Sequence, residues 1–243
     1  MKVAVCVGGL VYPDSDVLMD QLQSRFPDYD FFFGVWRGRE NDLTDKLGAW
    51  SFDEHEPMYH PFFDVDIPGM SSEIAVIRQK MKDNPEMPMI DKAWHQTKQI
   101  LLHSHMLDLL PPEYDMIVRA RYDIKLIDDN SIDFDGLIAR SYENNHAIGL
   151  ANCLAWFPNK AKRPPKMFNP KGTSSHRLWE QYLMDLIVIH PRRLFDKELM
   201  LSLHGEQKLL AGEFGWHQVL SQPYGDTHQN YMCDVGITSR GDA

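Results

Sequence analysis

The chain has 243 residues, of which 43% are hydrophobic and 11% aromatic, the composition of a globular protein with a sizeable core and not of a disordered one. A net charge of −10, from 25 basic and 35 acidic residues, excludes a bulk electrostatic grip on nucleic acid or an anionic membrane and leaves room only for a local basic site. Cys6, Cys153 and Cys233 are far apart and form no CxxC pair, which excludes a disulfide framework or zinc knuckle and points to a reducing cytosol.

Lys2 to Val7 alternates β-branched residues and ends in Gly8-Gly9, which predicts a buried first strand running into a tight glycine turn. No small-residue cleavage site follows this apolar run, so it reads as a strand and not as a signal peptide. No other run approaches the ~18 residues of a membrane span, and a cytoplasmic protein without a transmembrane segment is expected. Glycines after a strand let the backbone approach a ligand, but Gly8-Gly9 is neither a GxGxxG nor a P-loop, and a plain turn explains it as well.

Val17, Leu18, Leu22 and Phe26 recur at helical spacing between Asp14 or Ser15, either a plausible N-cap, and Pro27, which stops the helix. Asp30 to Trp36 is then an apolar second strand closed by Arg37-Gly38-Arg39. Strand, helix, strand in that order implies a right-handed βαβ unit. Trp36 at the strand's carboxyl end suits stacking on a base, with core packing as the alternative.

From Gly38 to Pro88 the pattern is weaker. Tyr59 to Val65 suggests a third strand, and Met81 to Pro88 a surface loop. His55, His60, Asp64 and Asp66 resemble a metal cluster, but their spacing matches no zinc pattern. Ile90 to Leu110 is the clearest helix, with Ile90, Trp94, Thr97, Leu101, Ser104 and Leu107 on one stripe. His103 and His105 point to different faces of it.

Pro111-Pro112 ends that helix and introduces the stretch around which the chain is organised, Glu113 to Leu126. Met116 to Val118 is a buried strand, after which Arg119, Arg121 and Asp123 alternate with Ala120, Tyr122 and Ile124. In an extended chain the three charges project to one side. Two guanidinium groups and a carboxylate at the carboxyl end of a strand suit an anionic ligand, because ligands of open α/β sheets bind there. A structural Arg–Asp ion pair is the alternative.

The C-terminal half carries a polar turn region at Asp128-Asp129-Asn130, one or two strands within Ala147 to Phe157, and a basic stretch from Lys160 to Gly172. The basic stretch reads either as a loop closing over an anionic substrate or as a solvated one. Trp179 to Ile189 combines helical spacing with a β-branched end and contains Asp185. Pro191 to Leu201 resembles another helix start, and the tail from Pro223, with Asp226 and His228, ends in polar, frayed residues.

The helix and the run Tyr-Asp-Met-Ile-Val-Arg-Ala-Arg-Tyr-Asp, Tyr114 to Asp123, resemble a hallmark of GT-A-type glycosyltransferases similar to the WavE lipopolysaccharide-synthesis family and related viral and phage proteins. In that group the run stands where other GT-A enzymes carry Asp-x-Asp. Here Arg121 occupies the first Asp position, and Gly8-Gly9-Leu10-Val11-Tyr12 lacks the Arg that the group places near the first strand. The resemblance implies an α/β, Rossmann-like fold: a mostly parallel sheet flanked by helices, with smaller antiparallel elements in the C-terminal half. It further implies one domain over 1–243, with a nucleotide-binding half at 1–126 and an acceptor-side half and tail at 127–243.

The implied activity is transfer of a sugar from a UDP- or GDP-sugar to a glycan or other hydroxyl acceptor. The departing diphosphate needs cations, a divalent metal or Arg or both. Gly8, Gly9, Trp36, Arg119 and Arg121 are the expected donor-binding residues. Asp123 and His228 are the expected ligands of Mn²⁺ or Mg²⁺, and Asp185 and Glu206 the candidate general bases for the acceptor hydroxyl. Two alternatives stay open: a nucleotidyltransferase, which Gly8-Gly9 disfavours for want of a basic residue, and a catalytically silent glycan-binding protein on the same fold.

Overall fold

The computed structural model describes residues 1–53, 89–126, 132–152, 183–206, 209, 212–225, 227–233 and 235–237. The expectations at His55, His60, Asp64 and Asp66, at Tyr59 to Val65, at Met81 to Pro88 and at Lys160 to Gly172 lie outside the described residues.

The first βαβ unit forms where the sequence places it. Strand β1 (Val3–Gly8), helix α1 (Ser15–Arg25) and strand β2 (Asp30–Trp36) follow in order, and β1 pairs β2 in parallel. A helix not foreseen, α2 (Asp42–Lys46), starts from a capping box in which Asn41 and Thr44 satisfy each other's backbone N–H groups. It leads into β3 (Trp50–Phe52), parallel to β2. Helix α3 (Met89–Leu109) is followed by β4 (Met116–Ala120), β5 (Ile124–Leu126), α4 (Phe134–Asn144), β6 (Ala147–Asn152) and β7 (Ile187–Pro191). After a 3₁₀ turn come α5 (Lys197–Gly205), α6 (Gly212–Leu220), β8 (His228–Cys233) and β9 (Val235–Ile237).

Among the described residues the main sheet has seven strands in the order β3-β2-β1-β4-β7-β6-β8, and β5 pairs with β9 in a separate antiparallel ladder. Every neighbour pair of the main sheet is parallel except those made by β7. This is the mostly parallel sheet with small antiparallel elements that was expected. The chain winds one way from β1 to β3 and then crosses to β4 on the other side of β1. The switch point, where such sheets open a crevice, therefore lies between the carboxyl ends of β1 and β4.

Two expectations in the C-terminal half change. Asp185 stands not within a helix but in the segment preceding β7. The tail from Pro223, where no element was expected, carries one: His228–Cys233 is hydrogen-bonded to β6 as an edge of the main sheet, and the last residues, 238–243, lie outside the described residues. The local sequence there, His-Gln-Asn-Tyr-Met-Cys, is too polar to announce a strand, and only the partner strand selects it.

Strand alternation assigns the two faces. Val3, Val5, Val7, Met116 and Val118 meet Leu18 and Leu22 of α1 and Phe134 and Ile138 of α4. Ala4, Cys6, Ile117 and Val188 meet Ile100, Leu102 and Met106 of α3, with Met200 and Trp216 from α5 and α6. Helix α3 crosses the sheet closely at two adjacent glycines. A Cβ on Gly34 would stand 2.6 Å from Met106 Sδ, and one on its pairing partner Gly8 would stand 3.0 Å from Leu102 Cδ2. Gly8 is thus explained by helix packing. Gly9, at φ +129° with open space around its Cα, carries the turn.

Candidate active site at the switch point

The loop after β1 is built to hold its shape. Tyr12 N–H donates to Ser15 Oγ at 2.9 Å, and Ser15 N–H donates to Tyr12 O at 3.0 Å. This turn places Val11, Tyr12 and Pro13 along one side of an open cleft of about 550 Å³, with Asp16 of α1. The other side is Asn41, Asp42, Leu43 and Lys46, the capped helix that follows β2. The cleft therefore lies beyond the carboxyl ends of β1 and β2.

On the far side of β1, the extended chain of β4 stops at Ala120. Residues 121 to 123 turn, with Ile124 N–H donating to Arg121 O at 3.3 Å. The three charges consequently do not share one extended face. Arg121 and Asp123 close on each other: Arg121 Nε donates to Asp123 Oδ1 at 2.8 Å and Nη2 to Oδ2 at 2.6 Å. The pair is largely shielded, at 15% and 5% side-chain exposure, and its two parallel bonds are the strong fork geometry of Arg with carboxylate. Burial pulls the Arg121 pKa down, but the Asp123 charge and hydrogen bonds, with Asp185 and Tyr12, outweigh it and leave it raised.

Arg119 points elsewhere. It projects with Ile117 towards α3 and α6, is 3% exposed, and donates through Nη1 to the backbone O of Asp185 and through Nη2 to Gln99 Oε1. Its guanidinium lies over the Trp216 ring at 4.9 Å. Burial lowers its pKa to about 10; Asp185 and Asp123 oppose that shift and Arg121 adds to it. Asp185 belongs to the cluster through its backbone O, which accepts from Arg119 Nη1.

The other expected residues are not brought together. Trp36 is 4% exposed and packs in the α3 face of the core, edge-on to His105 at 6.0 Å, so it is not available to stack a base. Glu206 caps the end of α5 and is exposed, accepting from Ser202 Oγ at 3.1 Å. His228 begins β8, opposite Ala147, where its Nδ1 meets Ser221 Oγ at 2.9 Å and its ring meets His217. It lies three strands from β4, at the level of Ile117 and not beyond Ala120. Three strand spacings alone amount to roughly 14 Å, so Asp123 and His228 do not fit one metal ion. No group of three or more His, Cys, Asp or Glu residues with metal-site geometry occurs among the described residues.

The Tyr114-Asp115 half of the motif works at the opposite end of β4. Tyr114 Oη donates to Asp30 Oδ2 at 2.7 Å, and Asp115 Oδ2 accepts from Lys2 N–H at 3.1 Å. These contacts brace the first strands and touch no site. The sequence reading missed Tyr12, Gln99, Trp216 and Asn230. Of these only Tyr12, just past a strand and a glycine turn, carried a local signal.

No protein-family description and no curated protein matches the chain. Solved structures do resemble it. A 4-diphosphocytidyl-2C-methyl-D-erythritol synthase from Anaerococcus prevotii DSM 20548 is 7% identical, aligning 98% of this chain with 93% of that one at TM-score 0.53. A mannose-1-phosphate geranyltransferase from Thermus thermophilus is 10% identical over 97% and 75%, at TM-score 0.43. A galactosyltransferase LgtC, in complex with donor and acceptor sugar analogs, is 11% identical over 85% and 63%, at TM-score 0.38. At the first of these scores the chain shares the fold of the synthase.

Proposed function

We propose that the chain is a glycosyltransferase that uses a nucleotide-sugar donor, with its donor site at the switch point between β1 and β4. The observation that carries this reading is the placement of Arg121, a cation with a planar fork, just past the carboxyl end of β4 and across β1 from the open cleft. In this reading the cleft takes the nucleoside and Arg121 the diphosphate, whose growing negative charge on departure it stabilises. Asp185 is the acceptor base, close enough to Arg119 and Arg121 to act on the charge of both. The acceptor is a glycan or other hydroxyl compound, and the WavE-like motif points to lipopolysaccharide-type glycans.

Asp123 is the oxygen donor for a divalent cation in this proposal, and to take that role it has to release Arg121, whose fork then faces the diphosphate. Mn²⁺ or Mg²⁺ held by Asp123 would supply further positive charge there.

A nucleotidyltransferase is the second reading, because the protein sharing the fold at TM-score 0.53 is a diphosphocytidyl-methylerythritol synthase. Binding and turnover together separate the two. Thermal shift with UDP-, GDP-, CMP- and dTDP-sugars, each with Mn²⁺ and with chelator, is expected to favour a UDP- or GDP-sugar. Ligand at 100 times its dissociation constant adds roughly 2.7 kcal/mol of stability by mass action. Pyrophosphate release from a nucleoside triphosphate and a sugar phosphate, without nucleotide-sugar hydrolysis or transfer, would support the nucleotidyltransferase instead. No shift with any nucleotide, from a folded protein, would leave the silent glycan-binding module.

A further inference from the structure

The segment before β7 is pinned from two strands. Met184 N–H donates to Asn230 Oδ1 at 2.8 Å, and the backbone O of Asp185 accepts from Arg119 Nη1. Leu183 and Met184 are buried beside it. The room for this comes from Gly149 on β6, where a Cβ would stand 2.5 Å from Met184 O and 2.6 Å from Met184 N. Three unrelated parts of the chain thus converge on a short segment that carries one carboxylate.

Arg119 is the unusual member. A fully buried guanidinium normally faces a carboxylate, because a charge taken from water is costly unless paired. The hydrogen-bond partners of Arg119 are instead a backbone carbonyl and the Gln99 side-chain amide, with the Trp216 ring alongside. The carboxylates that act on it, Asp185 and Asp123, do so at longer range. A neutral amide and a carbonyl would be adequately served by a neutral donor. A rigid, planar, multidentate donor is required only if α3, β4 and the Asp185 backbone must be held in one fixed relation.

We propose that Arg119 is a positioning residue: buried beneath the site, it fixes the backbone at Asp185 and so sets where the Asp185 carboxylate stands relative to Arg121. Arg119 does not contact the donor, in contrast to the expectation from the motif. The catalytic half of this inference rests on Asp185 as acceptor base; the structural half does not.

The test uses the full chain with Arg119→Lys and Arg119→Met, the lysine keeping a charge without the fork. Amide hydrogen exchange measured across residues 184–188 should rise about tenfold or more in both variants while that of β1 stays at the parent's rate, the pattern of local and not global opening. UDP affinity with Mn²⁺, measured by calorimetry, should stay within about twofold of the parent, whereas kcat for transfer should fall by about 100-fold at unchanged donor KM, since a small misplacement of a reacting group has that effect. Unchanged exchange at residues 184–188 in Arg119→Lys would overturn the proposal, as would loss of UDP affinity with that exchange unchanged, which would make Arg119 a ligand contact. If Arg119→Met does not fold, Arg119→Lys decides. A parent that binds no UDP would fail the function proposed above, and the exchange comparison would still decide whether Arg119 holds the segment.

Discussion

The two faces of the main sheet are both apolar, but only one of them also buries polar and charged side chains. Towards α1 and α4 the strands present Val3, Val5, Val7, Val118, Ile148, Leu150, Ile187 and Ile189, an apolar layer. Towards α3, α5 and α6 the same strands present Ala4, Cys6, Ile117 and Val188 and, among them, Arg119, which meets Trp216, and His190, which meets His103. His103 Nε2 and His190 Nε2 lie 3.1 Å apart, and His190 Nδ1 lies 2.9 Å from Pro191 O. Buried polar groups of this kind are costly unless satisfied, and they restrict a core to one arrangement. The first face is therefore the scaffold, and the second is where geometry at the site is decided. Stability and site geometry should respond separately to changes on the two faces.

The largest effect on stability is expected from the scaffold. Leu22, fully buried against β1, changed to Ala should cost about 3–5 kcal/mol, the usual loss for a cavity in a packed core. Chemical denaturation measures it. Hydrogen exchange at residues 184–188, compared at matched stability, should not change; a selective increase there would break the separation of the two faces.

Acid is expected to act mainly through the second face. Burial lowers the pKa of His190 from 6.5 to about 4, with the Pro191 carbonyl opposing, and burial, His190 and Arg119 hold His103 well below its usual value. Both are thus bound neutral in the folded state, while the unfolded chain takes up protons first. The stability they contribute is full above pH 6.5 and is lost as pH falls towards 4, by roughly 3 kcal/mol for His190. Replacing both with apolar residues, His103→Phe with His190→Leu, should flatten that limb of the stability–pH curve, because removing both partners leaves no orphan. An unchanged limb would mean that the acid response arises elsewhere.

Gly149→Ala sharpens the comparison from β6. The added Cβ falls on the Met184 backbone, and overpacking of this sort costs about 1–3 kcal/mol. Unlike Leu22→Ala it should also speed exchange at residues 184–188 and depress transfer. The smallest effect is expected at Lys197–Asp108, a surface ion pair whose side chains are 44% and 42% exposed. Lys197→Ala should cost less than about 1 kcal/mol, as exposed pairs do, and leave the site unchanged, although it ties α5 to α3 on the polar-core side.

The amino-acid sequence alone determined the elements whose signals are local. The β1-α1-β2 unit, α3 and the core of β4 follow from periodicity, Pro27 and Pro111-Pro112, because an apolar stripe and a chain break act within a few residues. Arg121 and Asp123 were also legible as a charged end to a buried strand. The tertiary structure decided what those charges do. Alternation predicted three charges on one face, but the backbone turns after Ala120, so Arg121 meets Asp123 while Arg119 passes through to the opposite core. Trp36 and Gly8 looked available for a ligand until α3 was laid across them. His228 is separated from Asp123 by β7 and β6, which lie between β4 and β8 in the sheet, and register is set by partners far away in sequence. Asp185, by contrast, reached the site because β7 runs antiparallel to β4, which returns the residue just before it to the end of the sheet where β4 stops.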